Sequence, residues 1–120
     1  MNSLKKLTTV ILILGCVLSQ ALWAHAMPKN QSPGAGAELT QSPPVVSITF
    51  NAQIEPKFSK LIVTDRNKKQ VSIGYGTVDP NHYILTTKLK SLNKGRYVVS
   101  WHVIAHDGHE TRGSYSFTIQ

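Results

Sequence analysis

From residue 45 to the end of the chain, apolar and polar side chains alternate in the way that half-buried strands require. Val46, Ile48 and Phe50 point to one side and Ser47 and Thr49 to the other. Lys60–Thr64 and Gln70–Ile73 flank the polar turn Asp65-Arg66-Asn67-Lys68-Lys69, which predicts a hairpin. Asp79-Pro80-Asn81 is a turn signal and introduces a further strand, Tyr83–Thr87. Tyr97, Val99, Trp101 and Val103 share a face on the longest candidate strand, and Tyr115, Phe117 and Ile119 share one on the last. Ser32-Pro33-Gly34-Ala35-Gly36-Ala37 is a loop by composition, and no segment beyond the first two dozen residues keeps a helical period. About seven short strands in roughly a hundred residues predict an all-β fold of two packed antiparallel sheets.

One local pattern sharpens this expectation. Leu92, Gly95 and Tyr97 stand as in a tyrosine corner, where a tyrosine near the start of a strand bonds back to the preceding connection and fixes a Greek-key crossing. Trp101 lies on the same face as Tyr97 and is expected in the core, as packing and not as a ligand platform.

The N-terminus reads differently. Lys5 and Lys6 precede an almost unbroken apolar run from Leu7 to Leu18, and small residues follow up to Ala26. This is the pattern of an export signal, too short for the about twenty apolar residues of a membrane span. A lipobox reading of Ile13-Leu14-Gly15-Cys16 fits less well, because the apolar run continues past the cysteine. A signal peptide over residues 1–24 leaves one domain, residues 25–120, outside the cytoplasm and without stable membrane insertion. Removal of the signal takes the only cysteine, so no intramolecular disulfide is available. The remaining 96 residues carry eleven Lys and Arg against six acids, a net charge of +5, scattered without a dense run. That distribution is a solvated surface and not a nucleic-acid patch.

Candidate chemistry concentrates in two places. Asp107-Gly108-His109 puts a carboxylate and an imidazole two residues apart, which on an extended chain turns both to the same side of the sheet. Alone this is a weak signal, since Asp-Gly is a common turn. His25 adds to it if it becomes the first residue, because its α-amino nitrogen and ring Nδ1 can chelate one ion. Three nitrogens and one oxygen suit tetragonal Cu(II), which also heads the order of divalent affinities; Zn(II) in a tetrahedral arrangement is the main competitor.

Taken together, His25-Ala26-Met27-Pro28, Ser32–Ala37, Val46–Phe50, Phe58-Ser59, Leu92 with Gly95 and Tyr97, Trp101, Asp107-Gly108-His109, Gly113 and Phe117 resemble the CopC family of periplasmic copper-binding proteins. The resemblance spans residues 25–120. It implies a Greek-key β-sandwich, cupredoxin-like or immunoglobulin-like, that binds one Cu(II) through His25, Asp107 and His109. It also implies a periplasmic location, a role in copper sequestration, transport or resistance, and coupling in some members to an inner-membrane partner of the CopD type. Two departures qualify it. Arg66–Tyr83 lacks the methionines with which some members build a Cu(I) site, so a Cu(II)-only version is expected. Where some members place a glutamate near the ion, this chain reads Asn51-Ala52-Gln53.

The other histidines rank lower. His106 has the opposite strand parity to His109, His102 faces away from Trp101, and His82 lies in a turn where a solvated ring is expected. Met27 could touch copper through its thioether, but packing at the sheet edge explains it as well. Two further functions use the same residues: a copper-brace oxidative enzyme, against which Asp107 blocks the position oxygen would need, and a metal-free exported immunoglobulin-like interaction module. The cleavage bond decides much of this. Ala24-His25-Ala26 favours a cut after Ala26 by the small-residue rule, which would discard His25, whereas the ligand chemistry and the resemblance favour a cut after Ala24.

Overall fold

Eight strands carry residues 25–120, the part of the chain that the computed structural model describes. The expected signal peptide and its cleavage bond lie outside these residues or at their border. The strands are β1 (Pro28–Ser32), β2 (Glu38–Leu39), β3 (Val45–Phe50), β4 (Lys60–Thr64), β5 (Ser72–Val78), β6 (Ile84–Leu89), β7 (Gly95–Ile104) and β8 (Glu110–Ile119), with one 3-10 turn at Pro56–Phe58. They form two four-stranded sheets, ordered β1-β3-β6-β5 and β2-β8-β7-β4. All pairings are antiparallel except that of the short β2 with β8. Only the β5–β6 and β7–β8 links stay within one sheet; every other link changes sheet, which gives the crossed connections of a β-sandwich.

The alternation read from the sequence is the alternation of burial. Val46, Ile48 and Phe50 on β3, and Tyr97, Val99, Trp101 and Val103 on β7, face the space between the sheets and are buried. Phe117 and Ile119 meet them from β8, with Tyr115 half-buried beside them. Each such side chain taken fully out of water contributes about 1.5–3 kcal/mol. The tyrosine corner is present: the Tyr97 hydroxyl donates to the Asn93 carbonyl at 2.7 Å, and its ring stacks on Phe117 at 5.6 Å between centroids. Trp101 is a core residue, edge-on to Phe50 at 5.4 Å.

One expectation needs correction, and one strand has no signal in the sequence. Lys60–Thr64 and Gln70–Ile73 are not a hairpin within one sheet. Thr64 and Gln70 form a single bridge around the Asp65 turn, after which β4 and β5 part into opposite sheets. At the parting point the Ser72 hydroxyl accepts the Val63 amide at 2.9 Å, so a side chain replaces a ladder bond. Pro28–Ser32, which ends on the first residue of the predicted loop, is a strand; its polar sequence carries no alternation and it is held at the sheet edge by β3.

β7 and β8 pair without interruption from Gly95 opposite Ile119 to Ile104 opposite Glu110. This places Gly113 directly opposite Trp101, and the indole lies flat over it: a Cβ at residue 113 would stand 2.6 Å from the Trp101 Cζ2 atom. A rigid ring packed in the core cannot yield as a flexible chain end would. Gly113→Ala is therefore expected to destabilise the fold by about 1–3 kcal/mol, read as a lowered midpoint in urea with an unchanged slope. An unchanged midpoint would mean that the indole moves freely.

Candidate metal centre at the beta7–beta8 turn

The long pairing of β7 with β8 ends in a turn at residues 105–109. Ala105 donates its amide to the His109 carbonyl at 2.9 Å, and Gly108 donates to the Ala105 carbonyl at 2.9 Å. Gly108 has φ +90°, a conformation that residues with a side chain rarely adopt, so the turn needs glycine there. Within it the Asp107 carboxylate accepts twice from His109, at 3.0 Å from the backbone amide and at 3.0 Å from ring Nδ1. Asp107 and His109 therefore do come together, but through a side-chain-closed turn and not through the strand alternation expected from their spacing.

The His109 bonds hold the Asp107 carboxyl below the usual aspartate range. The ring hydrogen bond is the larger cause, followed by the backbone amide, against a smaller opposing effect of burial. His25 adds a weaker favourable charge.

His25 reaches this turn from the other end of the chain. Its ring stacks on His109 with 4.6 Å between centroids and 26° between planes. Two contacts hold the segment behind it. The Thr111 hydroxyl donates to the Ala26 carbonyl at 2.8 Å, and Asn51 grips Met27 through both its side-chain oxygen (2.8 Å from the Met27 amide) and its own amide (2.9 Å to the Met27 carbonyl). Ala26 itself is fully buried. Asn51, at the position where the sequence lacks a carboxylate, thus serves as a backbone clamp. Met27 is half exposed and is not packed into the sheet edge as expected.

The structure therefore brings His25, Asp107 and His109 to one end of the sandwich, exposed enough to meet an ion: the His109 side chain is 58% accessible and that of Asp107 37%. Among the described residues, no three His, Cys, Asp or Glu side chains form a ready-made metal cage. His109 meets Asp107 through Nδ1 and His25 through the face of its ring. A groove of about 560 Å³ lies elsewhere, between Tyr75 and the outward face of the second sheet at Lys60, Ser100 and Arg112.

The remaining histidines go elsewhere. His102 sits on β7 with its Nε2 2.9 Å from Glu110, half exposed. His82 and His106 contact each other, Nδ1 to Nε2 at 3.2 Å, so His82 is not the merely solvated ring expected of its turn. Sequence spacing could not show that contact across 24 positions.

The CopC domain matches residues 28–120 of this chain. The chain belongs to the CopC family. It is 32% identical over 107 residues to Protein YobA of Escherichia coli K12, covering 87% of this chain and 86% of that one. It is 35% identical over 113 residues to Copper transport protein CutJ of Bacillus subtilis 168, covering 92% of this chain and 21% of that longer protein. The crystal structure of CopC from Methylosinus trichosporium OB3b superposes with a TM-score of 0.71 at 30% identity, over 80% of this chain and 94% of that one. The CopC family comprises copper-resistance and copper-transport proteins, which are copper-binding proteins and not enzymes. The CopC match begins at Pro28, three residues after His25.

The Asp107 bonds make a pH prediction. A carboxylate whose pKa is lowered on folding contributes stability that is present above its unfolded value, about 3.9, and lost as pH falls through the lower folded value. In the metal-free protein, the carboxyl carbon of Asp107 should titrate below the ordinary aspartate range by NMR. His109→Ala, which removes the larger cause, should move the midpoint back upward. A midpoint that stays put on that substitution would assign the shift to something other than the ring.

Proposed function

We propose that this CopC domain is a periplasmic copper carrier that binds one Cu(II) through the amine and imidazole of an N-terminal His25 together with His109 and Asp107. It would hold the ion for sequestration, transport or resistance. The observation that carries the reading is the stacking of His25 on His109 beside the Asp107 carboxylate, which brings two imidazoles and one carboxylate to the same turn. That donor set suits tetragonal Cu(II), and no thiolate is present in residues 25–120 to favour Cu(I).

The required cut after Ala24 has support from packing. Ala26 is fully buried and its carbonyl is bonded to Thr111, so a cut after Ala26 would remove a core residue. A leader that ends at residue 24, export to the periplasm and, in the cell, an inner-membrane acceptor of the CopD type complete the proposal. Its copper class is also that of the CutJ relative, named a copper transport protein.

One contact favours a variant of the ligand set. With Asp107 bonded to Nδ1, His109 presents Nε2 to the ion, and the carboxylate would orient the ring and raise its basicity without itself binding. Asp107→Asn separates the two arrangements. If Asp107 is a ligand, the Cu(II) electron paramagnetic resonance spectrum changes in character; if it orients the ring, the spectrum is kept and only the affinity falls.

Exported protein purified without a tag should have an intact mass that starts at His25 and bind one equivalent of Cu(II) by calorimetry. His109→Ala, or one extra residue ahead of His25, should weaken binding at least tenfold with the fold unchanged. Because the amine and imidazoles must lose protons, occupancy should fall as pH drops below the histidine range, about 6.5. Full occupancy in strong acid, or a mass that starts at Met27, would overturn the proposal.

A further inference from the structure

A second set of donors lies beside the first and shares none of its side chains. The His82 and His106 rings meet edge to face, 5.4 Å between centroids, with His82 Nδ1 3.2 Å from His106 Nε2. The Glu55 carboxylate stands 3.6 Å from the same His106 nitrogen. Donors held about 2.0–2.2 Å from one ion are about 2.9–3.7 Å apart over the right-angled to trigonal range of ligand angles. Both observed separations fall in that interval.

The backbone prepares this arrangement. Residues 53–55 are bonded on one side to the His82 turn, Ile54 amide to His82 carbonyl at 2.8 Å, and on the other to the end of β7. There the Glu55 amide donates to the Ile104 carbonyl at 2.7 Å and the His106 amide to the Gln53 carbonyl at 3.1 Å. His82 itself has φ +66°, a conformation uncommon for a residue with a side chain. It is held there by the Asp79 turn: the Asp79 carboxylate accepts the Tyr83 and Ile84 amides, each at 2.8 Å, and the His82 amide donates to the Asp79 carbonyl at 3.0 Å. An uncommon backbone conformation maintained by the Asp79 turn places this ring against His106.

We propose that His82 Nδ1, His106 Nε2 and the Glu55 carboxylate form a second divalent-metal site, of the two-histidine, one-carboxylate type that takes Zn(II) with solvent in the remaining position. The two ring nitrogens are within reach of one ion, although no three donors among the described residues are assembled as they stand. Glu55, whose side chain is 40% accessible, completes the set by a side-chain rotation. The site is open to solvent and lacks a chelating amine, so it binds more weakly than the centre next to it.

Zn(II) titration of the full exported protein carrying His25→Ala, Asp107→Ala and His109→Ala, which removes every side-chain donor of the first centre, isolates this site. Calorimetry should find one equivalent bound, and His82→Asn, His106→Gln or Glu55→Gln in that background should each weaken it about tenfold or more. Asparagine tolerates the positive φ at residue 82, and Glu55 is at the surface, so at least two of the variants keep the fold, checked by circular dichroism. Absence of zinc binding in the parent variant, or binding that all three substitutions leave within about twofold, would overturn the proposal. The unsubstituted protein reports separately on the first centre: loss of its copper site alone leaves the zinc equivalent in place.

Discussion

The uninterrupted pairing of β7 with β8 is what the rest of the molecule depends on. Its ten register pairs set Trp101 over Gly113 in the core and, at the far end, deliver the 105–109 turn with no slack between the two. A slip of one residue would turn Tyr97, Val99 and Trp101 outward and carry Asp107 and His109 to the wrong end of the turn together. Core and candidate site are thus specified by one register, and the cost of disturbing it is large because buried aromatic area is lost along the whole hairpin.

Around that hairpin the N-terminal segment is held at three points, by Asn51, by Thr111 and by the burial of Ala26. None of these uses the His25 side chain. The imidazole is thereby left to chemistry while its position is determined by backbone contacts that a substitution at residue 25 would not break.

Where one strand carries its own signal, the sequence was readable. Alternation placed β3, β7 and β8 and their inward residues, the Leu92-Gly95-Tyr97 pattern anticipated a hydrogen bond four residues back, and Trp101 was assigned to the core. What escaped depends on distant partners. β1 owes its strand conformation to β3, and β5 leaves β4 because the core needs it in the opposite sheet; neither fact is encoded in local periodicity. Ligand chemistry and family resemblance point to His25, Asp107 and His109, but the turn that joins the last two is closed by side-chain bonds and not by strand alternation, and the stacking of the first on the third depends on contact between distant segments. The role of Asn51 is invisible in the sequence because its partner, the Met27 backbone, lies 24 positions away. A sequence signal did exist for His82 and His106, two histidines in turn contexts, yet nothing local paired them.

The exposure of His109 at the rim has a kinetic consequence. An ion held there would sit at the surface of a rigid sandwich and not inside it, so an incoming donor from an acceptor protein could approach before the old bonds break. Exchange by such stepwise substitution needs no opening of the sheets, and its rate is uncoupled from the stability of the fold. Under the proposed carrier reading, tight retention in free solution and fast delivery on contact would be compatible in one small domain, because an acceptor's own ligands would lower the barrier that dissociation into water faces.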